Sequence, residues 1–175
     1  MSPRSHVLSI LRENRKFLLL SHTSPDGDAV GSLFALGCIL RSLGKDVLLC
    51  NESGLPESFS WLAAAADQQV YTEVPGQDYD WAIALDCGDA SRMGSAVESA
   101  VDFRYSVNID HHQGNTRFAA VNWVEDRSSV GEMVALLARD LGIEPSGALG
   151  EALYLAMVTD SGFFTYSNTT AETLR

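Results

Sequence analysis

The sequence has little positive charge for its length. Only 12 of its 175 residues are lysine or arginine, against 23 aspartates and glutamates, and the formal net charge is -11. A protein that binds long nucleic acids by neutralising phosphates needs a broad basic face, so the composition argues against an architectural DNA-binding protein. The acidic excess serves either general solubility or a cation site, and composition alone leaves both open.

Cysteines are also few, and no long hydrophobic run is present. The three cysteines Cys38, Cys50 and Cys87 are widely spaced and odd in number, which predicts buried thiols in a reducing compartment. The apolar run Phe17–Leu20 is far shorter than the roughly 20 residues that cross a bilayer, and no signal-peptide pattern precedes it. We therefore predict a soluble, cytoplasmic protein without a membrane partner.

Short apolar runs alternate with helical patterns along the chain. Hydrophobic residues make up 46% of the sequence, with 14 Gly and 5 Pro, which is typical of a globular domain. The predicted strands are Phe17–Leu20, Asp46–Cys50, Trp81–Leu85, Tyr105–Ile109 and Phe118–Trp123. The predicted helices follow Ser2-Pro3, cover Ala29–Leu43, begin at the capping-box pair Ser129 and Glu132, and cover Ser146–Val158. This alternation predicts an α/β fold, a parallel β-sheet with helices on both faces.

Acids and histidines follow the predicted strands where each strand ends. They are His22, Asp26, Asp28, Asp86, Asp110, His111 and His112, and Asp160 follows the last helix. The carboxyl ends of parallel strands meet at one edge of a sheet, so we expect these side chains to converge there. Oxygen and nitrogen ligands without thiolate suit Mn²⁺, Mg²⁺ or Fe²⁺. Four ligand aspartates carry a charge that two divalent ions would cancel, and paired ions about 3.5–4 Å apart are used to hydrolyse phosphate esters.

Each of these residues also has a purely structural interpretation. The segment Pro25–Asp28 is a common turn sequence, and Asp28 stands where it could N-cap the following helix. Asp86 could be a turn residue at a strand end, and aspartates at helix ends, such as Asp160, usually face water. His6 fits the polar face of the first helix, and Cys87 fits the core better than a metal site.

Four motifs, taken in order, resemble the DHH phosphoesterase family. They are HTSPDGDAVGS (22–32), ALDCGDASRMG (84–94), NIDHHQGN (108–115) and VTDSGFF (158–164). The family includes RecJ-type exonucleases, oligoribonucleotide/pAp phosphatases, cyclic-dinucleotide phosphodiesterases, exopolyphosphatases and family II inorganic pyrophosphatases. The first motif, together with residues 129–132 and YSNTTAETLR (166–175), is most similar to the oligoribonuclease/pAp-phosphatase branch.

The resemblance implies a site with two Mn²⁺ ions, for which Mg²⁺ or another divalent ion could substitute. One ion would be held by His22, Asp26 and Asp86, and the second by Asp28, Asp86, His111 and Asp160. Asp86 would bridge the two ions, and a water between them would be the nucleophile. His112 would face the scissile phosphate, and Asp110 would orient the histidines. The catalytic residues are therefore expected to be His112, Asp110 and Asp86.

The resemblance further implies a hydrolase for short oligoribonucleotides, pAp or both. Residues 1–175 would be its catalytic domain, with a C-terminal substrate-binding domain missing and a homodimer in the full-length protein. Asn168–Arg175, which begins like a capped helix, supports the expectation of a further part. The alternatives are an inorganic pyrophosphatase or exopolyphosphatase of the same family, and a nucleotide-binding module without activity. Three arginines near the site loops either touch phosphate or are ordinary surface residues: Arg92, Arg117 and Arg127.

Overall fold

The computed structural model describes residues 1–76 and 78–174. This part of the chain contains one six-stranded sheet, formed by β1 (Lys16–Ser21), β2 (Asp46–Cys50), β3 (Val70–Tyr71), β4 (Trp81–Leu85), β5 (Ser106–Asp110) and β6 (Val121–Val124). Every neighbouring pair is parallel, and the strand order is β3-β2-β1-β4-β5-β6. The order changes direction between β1 and β4, and such a switch point opens a crevice at the carboxyl ends of the strands.

Helices cover both faces of the sheet, which confirms the predicted α/β fold. They are α1 (Pro3–Glu13), α2 (Gly27–Ser42), α3 (Ser60–Ala66), α4 (Ser95–Ala100), α5 (Val130–Asp140) and α6 (Gly147–Asp160), with 3-10 turns at Glu57–Phe59, Ala90–Met93 and Phe103–Tyr105. In β1, Phe17 and Leu19 pack into the core under α1, α2 and α5, whereas Leu18 and Leu20 pack against the α4 side. This alternation follows from the two-residue period of a strand.

The start of α2 differs from the sequence prediction. The helix begins at Gly27 rather than Ala29, and Asp26 is its N-cap, because Asp26 Oδ1 accepts a hydrogen bond of 3.0 Å from the Ala29 N–H. The interpretation of Asp28 as the cap is therefore wrong. Asp28 lies in the first helical turn, where its side chain is buried instead of facing solvent.

Other boundaries shift by a few residues. Strand β5 is displaced by one position, so Asp110 is its last residue, and β6 begins at Val121 rather than Phe118. Strand β3 and helix α4 were not predicted, because both are short and weakly periodic. Residues 168–174 form turns where the sequence predicted a helix start, and Arg175 lies outside the described residues. Thr170 Oγ1 nevertheless accepts hydrogen bonds from the backbone N–H groups of Glu172 and Thr173, as a cap would.

Helices α2 and α6 pack closely through small residues. A Cβ added to Gly31 would lie 2.5 Å from the carbonyl oxygen of Ala152, and one added to Gly27 would overlap Thr159. Gly31 lets the middle of α6 approach α2, and Gly27 lets the C-terminal end of α6 approach the first turn of α2. This approach carries Asp160 towards Asp28.

The three cysteines, which the sequence predicts to be buried thiols, differ in burial. Cys50 and Cys87 are buried, Cys38 is partly buried, and all three are free thiols. Within the described ranges, no helix combines the length and hydrophobicity needed to cross a bilayer.

Candidate metal centre

All the sequence-predicted site residues lie at the carboxyl edge of the sheet, around the switch point between β1 and β4. His22 follows β1, Asp86 follows β4, and Asp110 ends β5 just before His111 and His112. The start of α2 adds Asp26 and Asp28, and the last residue of α6 adds Asp160. Side chains that are distant in sequence converge because three adjacent parallel strands and two helix ends meet at this point.

Asp86 stands between the histidines. Its Oδ2 is 3.5 Å from His22 Nε2, and its Oδ1 is 3.7 Å from His111 Nε2 and 3.6 Å from His112 Nδ1. Asp86 is only 3% exposed, and Oδ1 has no hydrogen-bond partner. A buried carboxylate oxygen without a donor is costly, and a cation would satisfy it. The donor set around Asp86 therefore fits a divalent metal.

One potential ligand group consists of His22, Asp26 and Asp86, whose ligand atoms all lie within 4.8 Å of one another. His22 Nδ1 donates to the Thr23 carbonyl at 2.9 Å, and a carbonyl only accepts, so Nε2 keeps its lone pair facing the carboxylates when the ring is neutral. Burial lowers the pKa of His22, but the nearby carboxylates of Asp26 and Asp86 outweigh burial and raise that pKa to about 10. The neighbouring His22 lowers the pKa of Asp26 to about 2.

A second group consists of Asp28, His111 and Asp160, and a third, formed by Asp86, His111 and His112, shares residues with the other two. His111 Nε2 is 3.4 Å from Asp160 Oδ2 and 3.9 Å from Asp28 Oδ2. Asp28 accepts hydrogen bonds from the N–H groups of Val130 and Gly131 at 2.7 and 2.9 Å, at the start of α5. Burial and the charge of Asp86 nevertheless raise the pKa of Asp28 well above its usual value. Burial also raises the pKa of Asp160, with the nearby His111 opposing this and Asp86 reinforcing it. Such crowding of carboxylates is relieved by a cation.

The adjacent histidines contact different groups. His112 Nδ1 lies 2.8 Å from Asp110 Oδ1, and the His112 side chain is 54% exposed. His111 instead donates from Nδ1 to the Arg127 carbonyl at 3.1 Å. Asp110 thus contacts His112 and has no hydrogen bond to His111 among the described contacts. This hydrogen bond with Asp110 raises the pKa of His112, more than burial lowers it.

Two residues that support the site were missed by the sequence analysis. Asn115 donates from Nδ2 to Asp110 Oδ2 at 2.6 Å and to Asn108 Oδ1 at 2.7 Å, which holds the carboxylate that contacts His112. Its signal was its place in the motif NIDHHQGN. Glu132 was interpreted only as a capping-box residue. Its N–H does donate to Ser129 Oγ at 3.1 Å, but its carboxylate turns towards Ser128 instead of the Ser129 N–H.

Of the residues with weaker functional signals, Arg92 lies at the site, whereas His6 and Cys87 do not take part in it. His6 is exposed on α1, and Cys87 is buried, as the core interpretation expected. Arg92 lines a cavity of about 290 Å³ together with Asp86 and His112, so it is placed to meet a bound anion.

The other two arginines give no such signal. Arg127 is paired with Glu125, Glu132 and Glu172, and these ion pairs occupy its guanidinium. Arg117 is exposed, with a left-handed φ of 55°.

The fold and the order of the site residues define the class of protein. The profile of the DHH family, N-terminal domain, matches residues 16–157, and the chain belongs to this family. Among its relatives are the bifunctional oligoribonuclease and PAP phosphatase NrnA of Thermus thermophilus, 32% identical over 161 residues, and NrnA of Bacillus subtilis, 31% identical over 170 residues. These alignments cover 90% of this chain, and 47% and 50% of the relatives. The chain spans about half the length of the curated relatives that it matches.

Solved structures show the same fold. An exopolyphosphatase-related protein from Bacteroides fragilis superimposes with a TM-score of 0.83 at 26% identity, over 97% of this chain and 53% of that one. The exonuclease RecJ bound to manganese superimposes with a TM-score of 0.53 at 16% identity, over 94% of this chain and 44% of that one. The second likeness concerns the fold alone.

Proposed function

We propose that this protein is a divalent-metal-dependent phosphoesterase that hydrolyses short oligoribonucleotides and pAp. The observation that carries the proposal is the position of Asp86, a buried carboxylate with one unpartnered oxygen that belongs to two of the three groups of potential metal ligands found among the described residues. The substrate class is supported by the relatives named bifunctional oligoribonuclease and PAP phosphatase. Their names belong to chains about twice as long, so the activity of the whole protein is part of the proposal.

The residues of these groups would hold two ions. In this proposal His22, Asp26 and Asp86 bind the first, and Asp28, Asp86, His111 and Asp160 bind the second. Mn²⁺ is the ion we favour, since the mixed oxygen and nitrogen donors suit it and a structural neighbour was crystallised with it. When bound, a pair of such ions supplies Lewis-acid activation of water and of the phosphoryl group.

The contacts to the substrate phosphate belong to His112, which Asp110 orients, and to Arg92. Asp110 holds the proton of His112 at Nδ1, which leaves Nε2 for a phosphate oxygen. The raised pKa of His112 favours its charged form, which gives stronger, charge-assisted hydrogen bonds to phosphate. Arg92 lies beside it in the same cavity and adds a second cation.

The charge distribution favours small substrates. A net charge of -11 repels a long polyanion outside the site, whereas a dinucleotide or pAp needs only the local cations. This argument distinguishes short from long nucleic acids but leaves pyrophosphate as a competitor. The likeness to an exopolyphosphatase-related protein favours that second candidate, a pyrophosphatase or exopolyphosphatase.

The test is hydrolysis of a 5′-labelled RNA dinucleotide, pAp and pyrophosphate with Mn²⁺, with Asp86→Asn as the matched control. Cleavage of both nucleotides but not of pyrophosphate, abolished in D86N, is the expected result. Selective cleavage of pyrophosphate would move the assignment to the second candidate. Binding of Mn²⁺ and nucleotide without turnover of any of the three would indicate a binding module.

A further inference from the structure

The peptide group between Arg127 and Ser128 joins two functional side chains. Its carbonyl oxygen accepts the hydrogen bond from His111 Nδ1 at 3.1 Å. Its N–H donates to Glu132 Oε2 at 3.3 Å. One peptide plane therefore connects the carboxylate of Glu132 to the imidazole of His111.

The Glu132 carboxylate is held in place by four donors. Oε2 also accepts from the hydroxyl groups of Ser128 at 2.7 Å and Thr173 at 3.0 Å, and Oε1 accepts from Arg127 Nη1 at 3.1 Å. Glu132 is only 4% exposed. Burial opposes its ionisation, but these hydrogen bonds outweigh burial and lower its pKa, so the group is a carboxylate at neutral pH.

A carboxylate that accepts a peptide N–H polarises the peptide and makes its carbonyl a better acceptor. A stronger acceptor at Nδ1 keeps the proton on that nitrogen and aims the Nε2 lone pair outward. Hydrogen bonds of this kind orient metal-binding histidines in many sites. His112 has the direct version of this arrangement, since Asp110 contacts its Nδ1 without an intervening peptide.

We propose that Glu132 is a positioning residue for His111, which it orients through the Arg127–Ser128 peptide. The inference rests on the proposed function, because it treats His111 as a ligand of the second ion. It extends that function by adding a residue that touches neither metal nor substrate. The segment 127–132 then serves the second ion twice, since its Val130 and Gly131 N–H groups also hold Asp28.

The competing explanation is that Glu132 only stabilises the start of α5. Its N–H is capped by Ser129 Oγ at 3.1 Å, and its carboxylate pairs with Arg127, which are ordinary stabilising contacts. A purely structural loss at the start of α5 would disturb Asp28, which accepts from the Val130 and Gly131 N–H groups, and would weaken the second ion even when His111 is replaced. Positioning through His111 predicts no such further loss in a His111→Gln background. The metal affinities therefore separate the two explanations.

The experiment is a titration of the metal-free protein with Mn²⁺, in which electron paramagnetic resonance measures the concentration of unbound Mn²⁺ at each step. Glu132→Gln retains the size of the side chain and removes its charge. Glu172→Gln is the matched control, because Glu172 pairs with the same Arg127 but is 65% exposed and forms no hydrogen bond with this peptide group among the described residues. Asp26→Asn and Asp160→Asn identify which measured affinity belongs to which ion.

We expect E132Q to weaken the ion that D160N also weakens, by about 10–100-fold, the range measured for outer-shell partners of metal ligands. The ion that D26N weakens should change less than about twofold, and E172Q should leave both affinities intact. In a His111→Gln background, E132Q should add less than about twofold, because its effect passes through His111.

Three outcomes would overturn the inference: equal weakening of both ions in E132Q, no difference between E132Q and E172Q, or an undiminished effect in H111Q. A wild-type protein that binds no Mn²⁺ would overturn the proposed function as well, so the two failures are distinct. Circular dichroism in EDTA checks that each variant is folded. If E132Q is not, Ser128→Ala replaces it, since it removes one hydroxyl donor and keeps the N–H. A several-fold loss confined to the same ion supports the inference, and no selective loss contradicts it.

Discussion

Replacing Asp86 by asparagine should separate stability from metal binding. Asp86 has a φ of 58°, in the left-handed region that aspartate and asparagine adopt more readily than most residues, so D86N adds no backbone strain. The substitution removes a buried negative charge whose Oδ1 lacks a hydrogen-bond donor. It also removes the attraction between Asp86 and His22, whose atoms are 3.5 Å apart.

The two effects nearly cancel in the metal-free protein. Relief of the unsatisfied oxygen contributes about 1–3 kcal/mol, and the long contact to a charged histidine is worth about 1.5 kcal/mol. We therefore expect the free energy of unfolding of D86N in EDTA to lie within about 1.5 kcal/mol of the wild-type value. If Asp86 were instead the partner of a structural buried salt bridge, its loss would cost about 3–5 kcal/mol.

Binding of Mn²⁺ should stabilise the wild-type protein more than D86N. At a concentration about 100 times its dissociation constant, each ion adds about 2.7 kcal/mol to the stability of the wild type. Two ions would raise Tm by about 10–20 °C for a chain of this length, and D86N should gain far less.

Thermal and urea unfolding with EDTA and with Mn²⁺ measure both quantities, and Asp89→Asn, in the same motif, is the control. Loss of more than about 3 kcal/mol in EDTA, or a full Mn²⁺ gain in D86N, would refute the reasoning.

Three further predictions concern protons, packing and chemistry. His22, with a pKa of about 10 in the metal-free protein, is protonated at neutral pH. Binding of Mn²⁺ should therefore release a proton, and the Mn²⁺ affinity should rise about tenfold per pH unit. Calorimetry in buffers of different ionisation enthalpy measures the proton release, and a pH-independent affinity would contradict the prediction. Gly31→Ala should lower the free energy of unfolding, measured in urea, by about 1–3 kcal/mol, because the new methyl group meets the backbone carbonyl of Ala152. An unchanged urea midpoint would show that α2 and α6 can move apart without loss of stability. His112→Asn should lower kcat for the dinucleotide about 10²-fold or more, while both Mn²⁺ affinities stay near the wild-type values. The reason is that His112 contacts Asp110 and lines the cavity beside Asp86. Loss of one bound ion in this variant would instead show that His112 is a metal ligand.

Structural features that depend only on residues adjacent in the sequence could be predicted from it. The strand Trp81–Leu85 was predicted with its observed bounds, and the Ser129 cap was predicted with its observed partner. Hydrophobic alternation and capping are local, so a few residues determine them. The cap of α2 was misassigned because Asp26 and Asp28 offer the same chemistry two positions apart, and only the backbone angles distinguish them.

What the sequence determined by itself is the parallel α/β fold, the family, and the types of ligand placed at the strand ends. Only the tertiary structure decided which groups complete one another. The Val130 N–H that holds Asp28 lies 102 positions further along the chain, and the Arg127 carbonyl that holds His111 lies 16 positions after it. Such contacts depend on how α5 packs against α2 and the sheet, and no local pattern encodes that packing. The unpartnered oxygen of Asp86 has the same origin, because it arises only where three strands and two helix ends bring their acids together.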